Sequence, residues 1–274
     1  MSVSTSKLPL LGKTILVTRA AEQSSQFGQL LRQVGATIIE MPALEIRPPS
    51  SWDAFDRAIA QMADIDWLIL TSANGVNYFF QRLSELGHTV HDLEHLKIAV
   101  VGRKTAACLE QMDIHPHFIP PDYVADSLVS HFPDHEKLPN LKILFPRVES
   151  GGREVLVNEL TTKGAAVIEV PAYQSCCPRA IAPPALDALQ QGKIDVVTFA
   201  SSKTVRYFCQ LIAQSAQVNV LRQLDVLATQ FQIASIGPQT SQTCYQLLGR
   251  VDIEAQQYTL DGLTSALVDW AVHV

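Results

Sequence analysis

Short uninterrupted runs of apolar residues alternate along the chain with stretches in which apolar residues recur at helical spacing. The first run, TILVTR at 14–19, has three consecutive apolar residues, which is typical of a strand covered on both faces. Phe27, Leu30 and Leu31 follow at helical spacing, and Gly35 ends the helix that they predict. The chain is therefore expected to open with a buried strand and a helix.

The same alternation continues to the end of the chain. It predicts strands at 14–19, 36–42, 67–72, 97–102, 117–121, 142–147, 166–172, 195–201, 232–237 and 251–255, with helices between them. The prolines near 42–49 and at 120–121 favour edge or connecting strands there, because proline cannot donate to a sheet. Strand–helix alternation of this kind indicates doubly wound α/β units with parallel sheets.

Two halves of the sequence repeat each other. GATIIEMPAL at 35–44 matches GAAVIEVPAY at 164–173, 129 positions later, and Ser72 and Ser201 keep the same separation. The repeated unit, of about 130 residues, is too long for a solenoid repeat. We therefore expect an α/β protein built from two similar doubly wound, flavodoxin-like parallel-sheet domains.

Small and hydroxylated residues occupy the turns after four of the predicted strands. Ligands bind parallel sheets at the carboxyl ends of the strands, where the N–H groups of helix N-termini point outward. Two copies facing each other across a cleft would combine several such turns, which suits a polyanionic small molecule. Alternatively, these residues only cap the helices that follow them. The candidate substrate-binding residues in these turns are Ser72, Ala73, Asn74, Gly102, Lys104, Thr105, Ser201, Ser202, Lys203, Gly237, Gln239 and Thr240.

Composition narrows the class of function. The net charge of −6, without a basic stripe, argues against a nucleic-acid partner. No window approaches about 18 apolar residues and the first residues do not form a signal peptide, so we expect a cytoplasmic protein without a membrane partner. The 5 cysteines and 8 histidines lack the spacing of metal ligands, and we expect no metal.

Five motifs spread over the chain carry a family resemblance. They are LVTRA at 16–20, LTSANGV at 70–76, VVGRKT at 100–105, VPAYQS at 170–175 and ASIGPQT at 234–240. In this order they resemble the uroporphyrinogen-III synthase family, enzymes that cyclise hydroxymethylbilane in tetrapyrrole (heme, chlorophyll and siroheme) biosynthesis. The resemblance covers roughly residues 11 to 270, and the ordered set is more specific than any single motif.

The resemblance implies a chain that begins in one domain, builds the other and then returns. Domain 1 would comprise 1–41 and 178–274, and domain 2 would comprise 50–169. Residues 42–49 and 170–177 would form a linker of two antiparallel strands. The repeat alone does not distinguish this arrangement from two sequential halves.

The resemblance also implies the reaction, a cyclising dehydration by a hydro-lyase. The linear tetrapyrrole loses its terminal hydroxyl to give an azafulvene, and the substituted carbon of the last pyrrole attacks it. The resulting spiro intermediate fragments and recloses with that ring inverted. Holding both ends of a flexible substrate is the main task, which proximity and fixed dipoles can perform without a cofactor. The implied partners are hydroxymethylbilane and, transiently, the preceding enzyme of the pathway, with this chain acting as a monomer.

Tyr173 corresponds to the tyrosine that the family presents near its cleft, and it is the candidate to assist departure of the hydroxyl. The alternative is a tyrosine packed on the linker with a solvated hydroxyl. Thr105 and Thr240 correspond to hydroxyl positions in the loops of the two domains, with Ser72 and Ser201 as their neighbours.

Four basic residues are candidates to contact the acetate and propionate carboxylates of the substrate: Arg19, Lys104, Arg147 and Lys203. The alternative for each is a solvated surface position. The alternative function, from another class, is a two-domain binding protein that closes over a polyanionic small molecule without chemistry.

Overall fold

The structure, a computed structural model of the 274-residue chain, describes residues 8–19, 21–122, 125–133, 135–151, 154–215 and 230–273. The described strands are β1 Thr14–Val17, β2 Thr37–Glu40, β3 Glu45–Arg47, β4 Trp67–Leu70, β5 Lys97–Val100, β6 Lys142–Val148, β7 Ala166–Cys176, β8 Val196–Phe199, β9 Gln232–Ser235 and β10 Ile253–Glu254.

The described α-helices alternate with these strands. They are α1 Ala21–Gln33, α2 Asp53–Ala60, α3 Ala73–Glu85, α4 Arg103–Glu110, α5 Ala125–Ser130, α6 Glu154–Thr162, α7 Pro183–Gln190, α8 Ser202–Gln214, α9 Pro238–Leu248 and α10 Leu260–His273. Short 3-10 helices lie at Met62–Asp64, Val90–Leu93 and His135–Asn140. In the described part of the chain, no helix has the length and apolar character needed to cross a membrane.

The chain divides into two compact units. Unit 1 comprises 1–45 and 176–274, and unit 2 comprises 46–175. The chain thus begins in unit 1, builds all of unit 2 and returns to complete unit 1. Each unit contains one 5-stranded sheet.

The sheet of unit 1 has the strand order β2-β1-β8-β9-β10, and all of its neighbouring strands are parallel. Both of its faces are covered, as the uninterrupted apolar run of β1 predicts. Leu16 packs into a core cluster with α7, α8 and α9, while Ile15 and Val17 pack on the other face against α1 and α10. This is the doubly wound, flavodoxin-like order expected from the sequence.

The sheet of unit 2 has the order β3-β7-β6-β4-β5, with β7, β6, β4 and β5 mutually parallel. Leu68 and Leu70 pack on one face with α2, α3 and α4, and Trp67 and Ile69 pack on the other with α5 and α6. Phe118 makes only an isolated bridge to Ala99, where the sequence predicts a strand at 117–121. That segment forms the far edge of the sheet, beside β5.

The two units exchange halves of the sequence repeat. β1 and β2 come from the first copy and their repeat equivalents are β6 and β7, while β4 and β5 are equivalent to β8 and β9. Unit 1 therefore combines the beginning of the first copy with the end of the second, and unit 2 combines the remaining halves. Four strands of each sheet then follow one order, since β2-β1-β8-β9 of unit 1 corresponds to β7-β6-β4-β5 of unit 2, while β3 and β10 lie outside this match.

Candidate active site

Tyr173 lies near the end of β7, in unit 2. The pairing of β7 with β6 shifts just before it: Arg147 is opposite Pro171, but Val148 is opposite Tyr173, so that Ala172 is an extra residue. In a regular strand, Ala172 and Tyr173 would point to opposite faces. Here both side chains belong to the same core cluster, and Tyr173 is 9% exposed. The bulge therefore turns the tyrosine towards α3.

The hydroxyl of Tyr173 lies at the N-terminus of α3. Its oxygen is 3.1 Å from Ser72 Oγ, and either atom can donate. Ser72 is the N-cap of α3, and its Oγ accepts the N–H of Gly75 at 3.0 Å. The ring of Tyr78, one turn along the same helix, stacks on the Tyr173 ring at 6.0 Å and 18°. The main chain is also held, because Tyr173 O accepts the N–H of Glu149 at 2.7 Å.

The other predicted residues of unit 2 follow β4 and β5. Ala73 and Asn74 form the first turn of α3 and are half-buried. Gly102 caps α4 with φ 97°, a left-handed conformation that favours glycine. Lys104 is exposed, whereas Thr105 is buried and its Oγ1 donates to Val101 O at 2.9 Å. The Thr105 hydroxyl proton is therefore engaged by the main chain.

In unit 1, the turns after β8 and β9 line one pocket of about 590 Å³. It contains all six residues predicted in these turns: Ser201, Ser202, Lys203, Gly237, Gln239 and Thr240. The two turns are joined directly, because Ser202 Oγ donates to Gln239 O at 2.9 Å. The N-termini of α8 and α9 both begin at this pocket, which favours an anionic ligand.

Tyr258, which is not among the residues predicted from the sequence, forms a wall of this pocket. Its side chain is 65% exposed, and its ring packs so closely on Gly237 that a Cβ atom there would meet Cδ1 at 2.7 Å. The repeat offered a signal, since Tyr258 follows Tyr123 by the same 135 positions that separate Gly102 and Gly237. Tyr123 itself lies outside the described residues.

The predicted basic residues differ in their surroundings. Arg147 forms an ion pair with Glu169, and its Nη2 donates to Gly151 O at 2.9 Å, so that its guanidinium is already engaged within unit 2. Arg19 follows β1 in unit 1, and burial lowers the pKa of its guanidinium. Lys203 extends over the Tyr207 ring at 5.8 Å. Lys203 alone of these three is among the residues that line the pocket.

A metal site is not evident among the residues that the structure describes. Within the described ranges, no three His, Cys, Asp or Glu side chains form a group that could hold a metal ion. The candidate residues of the two units offer hydroxyls, helix N-termini, lysines and the phenol of Tyr173. Such groups bind and orient an anionic molecule, and the phenol can transfer a proton.

Comparison with known proteins agrees with these features. A family model described as "Uroporphyrinogen-III synthase HemD" matches residues 25–265. The chain is 53% identical over 263 residues to the uroporphyrinogen-III synthase of Synechococcus elongatus, covering 96% of this chain and 97% of that relative.

Two solved structures share the fold at low sequence identity. A uroporphyrinogen III synthase from the bacterium Thermus thermophilus superposes with a TM-score of 0.56 at 18% identity, covering 95% of this chain and 99% of the other. The Helicobacter pylori enzyme gives 0.58 at 15% identity, covering 94% and 99%. With the family match and the 53% identical relative, these findings show that the chain belongs to the uroporphyrinogen-III synthase family.

Proposed function

We propose that this protein cyclises hydroxymethylbilane to uroporphyrinogen III, with inversion of the last pyrrole ring and loss of water. The observation that carries the proposal is the 53% identity to a uroporphyrinogen-III synthase over 96% of the chain. Features of each unit taken by itself support it: unit 2 contains the phenol of Tyr173, and unit 1 contains a pocket that favours anions, as a substrate with many carboxylates requires.

The first chemical step that we propose is loss of the terminal hydroxyl. Tyr173 donates its proton to the departing oxygen, and the nitrogen electron pair of the first pyrrole forms the new double bond of the azafulvene. A phenol is protonated at neutral pH and can therefore act as the donor. The side chain is suited to the role because the β7 bulge, Ser72 and the Tyr78 ring fix its position.

The second step depends on orientation. The substituted carbon of the last pyrrole must reach the azafulvene before the unsubstituted carbon does, since attack by the latter gives isomer I. Carboxylates held at the turns after β8 and β9 would restrict the flexible substrate to the productive geometry. We propose Ser201, Ser202, Lys203, Gly237, Gln239 and Thr240 for this role.

Unit 2 contributes a smaller set of binding groups in this proposal. The first turns of α3 and α4 present Ala73, Asn74, Gly102 and Lys104, and Lys104 is the exposed cation among them. Arg19 and Arg147 remain candidates for the outer carboxylates, and Thr105 for the loop hydroxyl. The local positive ends of the helices explain how a chain of net charge −6 would hold a polyanion.

The balance of the reaction bears on cofactors and partners. Overall, one C–O bond and one C–H bond break, one C–C bond forms, and the hydroxyl leaves with the released proton as water, so that no oxidant or reductant is consumed. We therefore propose that the protein works without a cofactor. We also propose that it acts as a monomer in the cytoplasm. The preceding enzyme of the pathway, which supplies the unstable substrate, is the proposed transient partner.

Product analysis tests the proposal. Purified protein is incubated with hydroxymethylbilane, the products are oxidised, and the porphyrin isomers are separated by chromatography. We expect isomer III from the native protein and isomer I from a heat-denatured sample. If the protein binds hydroxymethylbilane but only isomer I forms, at the spontaneous rate, the protein would instead be a binding protein without catalytic activity.

A further inference from the structure

The hydrogen-bonding positions of the Ser72 hydroxyl indicate a role beyond helix capping. A serine hydroxyl has one proton and two acceptor positions. One acceptor position is taken by the N–H of Gly75 at 3.0 Å, and the Tyr173 oxygen lies at 3.1 Å. If Ser72 donates to Tyr173, the phenol keeps its own proton free for another acceptor. The substrate hydroxyl is then the natural recipient.

The same contact becomes stronger once the phenol proton has left. The phenolate would accept the Ser72 proton in a charge-assisted hydrogen bond, which is roughly twice as strong as a neutral one. Behind Ser72, the Gly75 N–H belongs to the N-terminus of α3, a 13-residue helix whose dipole favours negative charge. The arrangement is therefore better matched to the charged state than to the neutral one, as catalysis requires.

We propose that Ser72 is a positioning residue for Tyr173, connecting the N-terminus of α3 to the phenol oxygen. This role rests on the proposed function. As the C–O bond of the substrate breaks, its electron pair stays on oxygen and the phenol proton completes water. The pyrrole nitrogen pair forms the new double bond, and the phenolate remains paired with Ser72. The proton lost by the carbon that closes the macrocycle then restores the phenol.

Unit 1 contains the equivalent positions without this chemistry. Ser201 caps α8 in the same way, accepting the N–H of Thr204 at 3.2 Å. Its hydroxyl donates to Thr204 Oγ1 at 3.4 Å, and the repeat equivalent of Tyr173 in this unit is Leu44. Capping alone thus accounts for Ser201, whereas Ser72 has in addition a phenol within hydrogen-bond distance.

A double-mutant cycle tests the inference. Ser72→Gly removes the hydroxyl with little capping cost, since glycine is well tolerated at N-caps. We expect kcat to fall roughly tenfold with KM unchanged within twofold. In the Tyr173→Phe background, Ser72→Gly should change kcat by less than twofold, because the group through which Ser72 acts is gone. Ser72→Thr, which keeps both the hydroxyl and the cap, should restore kcat to within about threefold of the native value.

Stability is measured in the same samples. Ser72→Ala should lower the urea midpoint at least as far as Ser201→Ala does, since each removes one N-cap and Ser72→Ala also removes the contact with Tyr173. If kcat of the double mutant falls by the product of the two single-mutant factors, the inference is overturned, because Ser72 would then act on the substrate independently of Tyr173. A raised KM with native kcat, or native kinetics throughout, would also overturn it. If the native protein yields only isomer I, the proposed function is wrong, and the inference that rests on it is wrong as well.

Discussion

The two repeat copies differ in chemistry at Tyr173. Leu44 stands at the equivalent position of the first copy and is half-buried, beside Ala43 in the core of unit 1. A leucine can only pack, whereas a phenol can also donate a proton. The asymmetry fits a duplication in which one copy kept a chemical role and the other a structural one.

Replacing Tyr173 by phenylalanine should separate these roles. Tyr173→Phe keeps the ring and its packing on Tyr78 but removes the hydroxyl that meets Ser72. We expect kcat to fall at least tenfold, since positioned proton donation is typically worth roughly 10²–10⁴-fold. The free energy of unfolding should fall by no more than about 1.5 kcal/mol, the usual contribution of one hydrogen bond. Steady-state kinetics and urea unfolding measure the two effects.

Leu44→Ala is the matched control. It removes apolar packing at the equivalent position, so we expect lower stability and an unchanged kcat. Nearly full activity in Tyr173→Phe would show that the tyrosine is structural, and that orientation by the loop amides carries the catalysis.

At the scale of single residues, the sequence predicts candidate site residues but not the side chains that they contact. Tyr173 and Ser72 were each identified from the repeat and the resemblance, yet they are 101 positions apart and nothing local predicts their hydrogen bond. Arg147 was expected at substrate carboxylates, and its ion pair with Glu169 depends on the side-by-side register of β6 and β7. Side-chain pairing across strands depends on which strands become neighbours in the sheet, and the pattern of apolar residues within one strand does not identify its partner strand.

Among the elements, the start of α10 shows how one glycine permits a tight turn. A Cβ atom on Gly262 would lie 2.1 Å from the carbonyl oxygen of Gln257, a main-chain atom that cannot move aside. Gly262 N also donates to Thr259 Oγ1 at 3.0 Å, which holds it in place. We therefore expect Gly262→Ala to lower the free energy of unfolding by at least about 2 kcal/mol, as measured by urea denaturation.

Gly237→Ala provides the comparison at the start of α9. Its Cβ would also be too close, at 2.7 Å, but to the ring of Tyr258, which is 65% exposed and can swing into solvent. The expected loss of stability is below about 1 kcal/mol. Equal losses for the two variants would mean that the turn before α10 relaxes, and that the glycine is not required there.

Two buried thiols, one in α8 and one in α9, make the free energy of unfolding depend on pH in the alkaline range. Burial raises the pKa of Cys209 in α8 to about 11 and that of Cys244 in α9 to about 12. In the unfolded chain these thiols ionise near the ordinary value of about 8.5. Between that value and the folded pKa, the native state holds more protons than the unfolded state. The contribution of these thiols to the free energy of unfolding is therefore complete below about pH 8.5. It is lost as pH rises from there through the folded pKa values of about 11 and about 12.

Urea unfolding at pH 7.5 and pH 10 measures this dependence. The doubly substituted Cys209→Ala, Cys244→Ala protein should lose less stability between the two pH values than the native protein does, although lysines and tyrosines titrate in both. An identical loss would show that the buried thiols contribute nothing to the alkaline transition.

The elements themselves were largely predictable, because buried parallel strands and the helices between them leave a strong periodic signal. The exceptions have specific causes. Residues 117–121 form one bridge in place of a strand, since Pro120 and Pro121 cannot donate to a ladder. β7 runs without a break from Ala166 to Cys176, across the predicted boundary at 170, with Pro171 paired opposite Arg147 and the bulge directly after it.

At the scale of the whole molecule, the exchange of repeat halves determines which part of the chain can fold alone. Each core cluster formed by the described residues lies within one unit, two in unit 1 and two in unit 2. Unit 2 is also continuous in sequence, whereas unit 1 needs both ends of the chain. A break in the chain at a repeat boundary would therefore divide both cores, although it separates two copies of similar sequence.

Two fragments of equal length test this consequence. Residues 46–175 contain the strands of the unit 2 sheet, apart from Glu45 of β3 and Cys176 of β7, with both of its core clusters. Residues 1–130 contain one repeat copy but only part of each sheet. We expect 46–175 to show an α/β circular dichroism spectrum and a cooperative urea transition, because a complete core is the condition for independent folding. The fragment 1–130 should unfold without a cooperative transition, and neither should form isomer III, since each lacks the pocket after β8 and β9. Cooperative unfolding of 1–130, with none in 46–175, would mean that the repeat copy and not the exchanged unit is the folding domain.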